Sequence, residues 1–303
     1  MAALNDMDES LPPQTPDALA TPGGADGGAV RANPWRTLGG LTPARIGLGR
    51  SGISQPTAAQ LDFQLAHARA RDAVHAVLDI DSLCTEIEAL GLPTLTLHSA
   101  AESRAVYLQR PDLGRCLDVA SRERLSEARA AAGSLEPSDL ALVIADGLSA
   151  LAVQRHAAAL IGELLRVLPL ADRTVDGAGW RLAPVAVVQQ GRVAAGDEIG
   201  ELLGSRIVVV LIGERPGLSS PDSLGLYLTW GPRAGRNDAQ RNCISNVRPE
   251  GLGYREAAQR LKHLLVESQQ RRLSGVELKD NSSPGDDRIE ARPDLPSFLL
   301  GER

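Results

Sequence analysis

Residues 207–218 read IVVVLIGERPGL: six apolar, mostly β-branched residues from Ile207 to Ile212, then Gly213, the carboxylate of Glu214 and a Pro-Gly turn. A run that short and that apolar predicts a strand covered on both faces. Ligands in open α/β sheets bind just beyond the carboxyl ends of the strands. The loop from Gly213, with Glu214 at its mouth, is therefore the first candidate site.

Working outward, Leu140–Ala145 (LALVIA) is a second buried strand. It runs into Asp146-Gly147-Leu148-Ser149 and then an Ala/Leu-rich helix over about 149–168, a βα unit. Asp146 reads either as the cap of that helix or as a site residue at a strand end. Ala183–Gln189 is a further strand, leading to Gln190-Gly191-Arg192-Val193, and a short helix over 197–203 returns the chain to Ile207. Beyond the loop, 226–230 reads as a strand and 254–272 as an amphipathic helix.

Upstream, a helix is expected from Pro56-Thr57 to about Leu78. A short helix follows, then two strand-like segments, LPTLTL (92–97) and AVYLQR (105–110), and a helix from Asp112 to about Ala132. Alternation of strands and helices from 105 to 272 predicts an α/β fold with a mainly parallel, doubly wound sheet. Residues 34–104 form an N-terminal helical and extended region before the α/β domain at 105–280. The Pro-, Gly-, Ala- and Asp-rich residues 1–33 predict a disordered tail, and 281–303 a flexible one.

Composition narrows the function. A net charge of −6 without a basic stripe argues against nucleic-acid binding. No apolar run reaches the roughly 18 residues of a membrane span, and the first residues do not form a signal peptide. Cys84, Cys116 and Cys243 are scattered, without disulfide or metal spacing. A cytoplasmic protein is expected.

Gly47, Gly49 and Gly52 spell G-x-G-x-x-G, with Asp72 twenty residues past the last glycine. That pattern suggests a nicotinamide-dependent oxidoreductase. Its context fails, because only Ala44-Arg45-Ile46 precedes it and Ile-Ser-Gln-Pro follows. His67 and His75 are eight residues apart, too far for a helical zinc pair. Glu214 can act as a base, a metal ligand, an acceptor for ligand N–H groups, or a partner of Arg215. No His or Cys lies near it in sequence. Cys243 has no neighbouring histidine to activate it. The loop Gly217–Ser223 lacks the Gly-Lys-Ser/Thr ending of a P-loop. The residues describe a loop site for a bulky polar ligand, without a complete catalytic set.

The strings Ala44-Arg-Ile-Gly-Leu-Gly-Arg50, Tyr107-Leu-Gln-Arg-Pro-Asp-Leu-Gly114, Asp146-Gly-Leu-Ser149, Gly191-Arg-Val193, Gly200-Glu-Leu-Leu-Gly204, Gly213-Glu-Arg-Pro-Gly-Leu218 and Cys243-Ile-Ser-Asn246 resemble, in order, the small (light) subunit of ethanolamine ammonia-lyase. The resemblance covers about residues 40–280. It implies a Rossmann-like domain contributing to an adenosylcobalamin site beside a catalytic TIM-barrel large subunit. The reaction converts ethanolamine to acetaldehyde and ammonia. By matching motif it implies cobalamin contacts at Val193, Glu214 and Cys243, and no catalytic or metal-ligating residue in this chain. It further implies a hetero-oligomer of several heavy–light pairs, often inside a bacterial microcompartment, with residues 34–104 a candidate contact for the large subunit. An assembly subunit that does not touch cofactor is the other reading kept open.

Overall fold

A computed structural model describes residues 33–42, 44–131, 138–171 and 179–279. The tails expected at 1–33 and 281–303 lie outside these residues, save Asn33. The chain divides into two units, the first ending at Gln60 and the second starting at Leu61.

In the first unit a 3₁₀ helix spans Pro34–Leu41, where the Asn33 side chain accepts the Trp35 amide at 2.9 Å. Gly47, Gly49 and Gly52 all take positive φ in irregular backbone, with only an isolated Ser51–Ser54 bridge beside them. Among the described residues no strand leads into them, so the dinucleotide fingerprint lacks its structural frame there. Helix α1 (Thr57–His75) follows and crosses into the second unit.

The second unit is an α/β fold on one six-stranded mixed sheet in the order β1-β3-β2-β4-β5-β6. Its strands are β1 (Thr94–His98), β2 (Leu140–Ala145), β3 (Val185–Gln189), β4 (Ile207–Gly213), β5 (Leu224–Trp230) and β6 (Arg241–Val247). The first four run parallel, with Leu140 beside Ile207 and Val143 beside Ala186. β5 and β6 are antiparallel additions to β4. The expected sheet was parallel for longer, and the antiparallel pair has a local cause. The loop after β4 is too short for a helical crossover, so the chain doubles back.

Helices cover both faces. On one face Leu142 and Ile144 pack with Leu160, Ile161 and Leu164 of α5 (Ala150–Val167). There too lie Leu83 of α2 (Ile80–Ala89) and Leu261 and Leu265 of α7 (Tyr254–Arg271). On the other face Ala141, Val143 and Ala145 meet Leu125 of α4 (Val119–Ala131) and Ile199 of α6 (Val193–Leu203). Every residue of β2 and β4 is buried, which is why both read as unbroken apolar runs.

Three local expectations change. AVYLQR is helical, not extended: it lies in α3 (Arg104–Gln109), where Ser103 caps the start and Tyr107 turns into the core. The helix expected from Asp112 divides into a 3₁₀ turn, Leu113–Arg115, and α4. Asp118 defines the later start by accepting the Ser121 amide at 2.7 Å. Helix α6 begins at Val193, four residues before the expected 197, so Val193 opens a helix rather than sitting in a loop.

Candidate functional site

The ends of β2, β3 and β4 meet at one edge of the sheet, and two glycines permit the meeting. A β-carbon on Gly213 would lie 2.0 Å from the Ser149 carbonyl oxygen; one on Gly147, where φ is +57°, would lie 2.3 Å from that of Gly213. With bare backbone at both positions, Leu148 donates its amide to the Gly213 carbonyl at 2.9 Å. Ser149, not Asp146, caps α5 by accepting the Ala152 amide, and its hydroxyl donates to the Pro221 carbonyl at 2.9 Å. The loop after β4 is thereby fastened to α5.

Asp146 instead reaches sideways. Its Oδ1 accepts the Gly191 amide at 3.1 Å, and Arg104 Nη1 lies 3.6 Å from its Oδ2. Burial pushes the Asp146 pKa up, while Arg104 and the amides around Gly191 pull against that rise. Arg104 also donates to the carbonyls of Val74 and Gly147 and to Gln190 Oε1. This network ties the end of β3, where Gln190 takes φ +53°, to the end of β2.

A cavity of about 450 Å³ opens there. Val193, Glu214, Tyr107, Arg192, Arg215 and Tyr227 are among its lining residues. Two of the three sequence-derived positions, Val193 after β3 and Glu214 after β4, thus share one cavity across the end of β2, which lies between those strands. Glu214 does not pair with Arg215. Its Oε2 accepts the Asn246 amide at 3.2 Å, and no hydrogen bond reaches its Oε1 from the described residues. The carboxylate already works as an N–H acceptor with capacity to spare.

Cys243 stands opposite Tyr227 in the β5–β6 ladder. Desolvation raises its thiol pKa, the Tyr227 hydroxyl lowers it by hydrogen bonding, and the charge of Glu214 raises it again. The result is a protonated thiol rather than a nucleophile. Desolvation also pushes the Tyr227 phenol up, with Cys243 and Glu214 adding to the shift. Glu214, Tyr227 and Cys243 are therefore mutual neighbours, and Tyr227 links the cysteine to the cavity. Sequence reading missed Tyr227 because one aromatic in an apolar strand carries no site signal. Tyr107 and Arg192 carry no site signal of their own in the sequence.

Among the described residues, no group of three or more His, Cys, Asp or Glu side chains could hold a metal ion. No described helix is long and apolar enough to cross a membrane. The cavity has a mixed wall of apolar side chains, an acceptor carboxylate, two guanidinium groups and two tyrosines, with the Cys243 thiol behind Tyr227. Among the described residues it holds no base–nucleophile pair.

Comparison with known proteins gives the chain a family. The family model described as ethanolamine ammonia-lyase light chain (EutC) matches residues 32–279. The chain is 56% identical over 279 residues to a protein of Azotobacter vinelandii called ethanolamine ammonia-lyase small subunit, covering 92% of this chain and 99% of that one. Proteins with the same name from Pseudomonas paraeruginosa and Ralstonia nicotianae are 60% and 58% identical, over 90% and 83% of this chain and 96% and 90% of theirs.

Proposed function

The chain belongs to the ethanolamine ammonia-lyase light-chain family, and from that membership we propose that it forms part of an adenosylcobalamin site shared with a large, catalytic subunit. The complex converts ethanolamine to acetaldehyde and ammonia. The observation that carries the proposal is the convergence of Val193 and Glu214 on one cavity, with Cys243 joined to it through Tyr227.

The residues fit the group. A corrinoid rim bears neutral amide N–H donors, and Glu214 has an oxygen that no described residue donates to. Val193 supplies an apolar contact, and Cys243 a compact thiol. When bound, the cofactor supplies radical chemistry. This chain's residues hold and orient it, which is consistent with a site that has no catalytic set of its own. We read the parallel part of the sheet as a Rossmann-like, doubly wound arrangement, because strand order reverses between β2 and β3 and helices cover both faces.

Residues 105–280 would then be the cobalamin-contacting domain and 34–104 a contact for the large subunit. Within the latter, α1 exposes Leu61, Phe63 and Leu65 at 58%, 45% and 51%, apolar side chains that a partner could cover. Several heavy–light pairs would associate in the cytoplasm, in some hosts inside a microcompartment.

The test uses the complex of this chain with its large subunit. Glu214→Ala should leave assembly intact and raise the apparent Kd for cobalamin roughly tenfold or more, the cost of a lost charged hydrogen bond. Intact assembly with unchanged affinity would instead favour the assembly-subunit reading.

A further inference from the structure

The cavity holds two arginines whose charge no nearby acid answers. Arg192 and Arg215 both line it. Among the described residues neither has a carboxylate within ion-pair distance, whereas neighbouring Arg104 is paired with Asp146. Glu214 spends Oε2 on a backbone amide rather than on Arg215. The wall therefore carries two positive side chains against one negative one.

Arg192 is set in place without being neutralised. Its guanidinium lies 4.3 Å over the Tyr107 ring and donates from Nη2 to the Tyr107 carbonyl at 3.3 Å. Its stem lies against Gly114, where a β-carbon would come 2.9 Å from Arg192 Cγ. Its Nε is buried without a hydrogen-bond partner. Tyr107 is itself fully buried, and its hydroxyl donates to the Gly191 carbonyl at 3.3 Å. An aromatic ring, a glycine and a carbonyl fix the group's orientation and leave its charge unspent. The amide-rich first turn of α6 starts beside it at Val193.

We propose that Arg192, assisted by Arg215, recognises the phosphodiester in the nucleotide tail of cobalamin, an anion subsite separate from the amide-accepting Glu214. The inference rests on the cofactor reading above. A corrinoid's peripheral groups are neutral amides apart from this one singly charged phosphodiester, which matches the single excess positive charge of the wall. Guanidinium is the side chain best suited to a phosphate's paired oxygens.

The test titrates the assembled complex by visible absorbance with three corrinoids: cyanocobalamin, dicyanocobinamide (no nucleotide), and cobinamide phosphate (the anion without ribose or base). Arg192→Gln should weaken cyanocobalamin and cobinamide phosphate roughly tenfold and leave dicyanocobinamide within about twofold, with Arg192→Lys recovering part of the loss. Equal weakening of all three, or of none, overturns the subsite. If Arg192→Gln fails to assemble, the unmodified complex decides: inorganic phosphate at matched ionic strength should compete with cyanocobalamin more than with dicyanocobinamide, and equal competition overturns the proposal. Corrinoid binding that is indifferent to both Glu214→Ala and Arg192→Gln refutes the cofactor reading itself. Dependence on Glu214 with an unchanged cobalamin-to-cobinamide ratio in Arg192→Gln refutes only the anion subsite.

Discussion

The carboxylate of Asp146 accepts the amide of Gly191 at 3.1 Å, so the ends of β2 and β3 are joined by a side chain as well as by the ladder. Asp146→Ala leaves a buried amide without an acceptor and Arg104 without its counter-charge. The expected cost is about 2–3 kcal/mol in urea denaturation. Asp146→Asn keeps an acceptor and removes a charge that burial disfavours, so it should lose less than half as much. Equal losses in the two variants would show that the Gly191 contact is not what matters.

Gly213 and Gly147 let the chain after β2 pass close against the end of β4. Gly213→Ala should cost at least about 3 kcal/mol, since the clash is with backbone that cannot swing away. Gly40→Ala is the control, because a β-carbon there meets nothing within 4 Å; its effect should stay within about 0.5 kcal/mol. Comparable midpoints for the two variants would contradict the close approach as described.

His156 is buried, with Nδ1 2.8 Å from the Tyr254 hydroxyl and Nε2 3.4 Å from Asp222 Oδ2. Tyr254→Phe strips the first contact and changes little else. A loss of about 1–2 kcal/mol is expected, read as a fall in denaturant midpoint at constant slope. No change in midpoint would mean that the imidazole finds another partner.

Asp222 gives a pH signature. Its partial burial would raise its pKa, but the hydrogen bond from Arg155 and the charge of His156 outweigh this and hold it below the ordinary carboxylate range. A depressed folded-state pKa contributes stability above the unfolded-state value and loses it as pH falls through the folded-state value. Asp222→Asn should therefore cost about 1 kcal/mol near pH 7, and the difference from the unmodified chain should shrink below about pH 4. A difference independent of pH would remove the carboxylate's charge from the explanation.

The parallel strands were legible because full burial leaves a simple trace: LALVIA and IVVVLI are apolar at every position. β6 left no such trace. Its sequence RNCISNV buries only Arg241, Ile244 and Val247, so it reads as loop until β5 is beside it. AVYLQR looked extended because its β-branched and aromatic residues outweigh a weak serine cap until Tyr107 is seen to enter the core. Glu214 and Val193 were found by motif and by strand-end position. Their company, Tyr227 and Arg192, depends on tertiary placement that spacing cannot reveal. Asp146 showed the opposite failure: a good cap by position, it was displaced by Ser149 and recruited to Gly191.

The Glu214–Asn246 contact has a consequence for synthesis. The chain leaves the ribosome from its amino end, and domains fold as their residues emerge. A nascent chain ending before Arg241 already contains Val193 and Glu214, but neither Cys243 nor the Asn246 amide that steadies the carboxylate. β6, the last of the described strands to be translated, finishes this corner of the protein, so a shorter nascent chain lacks the contact that steadies Glu214 until the described sheet is nearly complete.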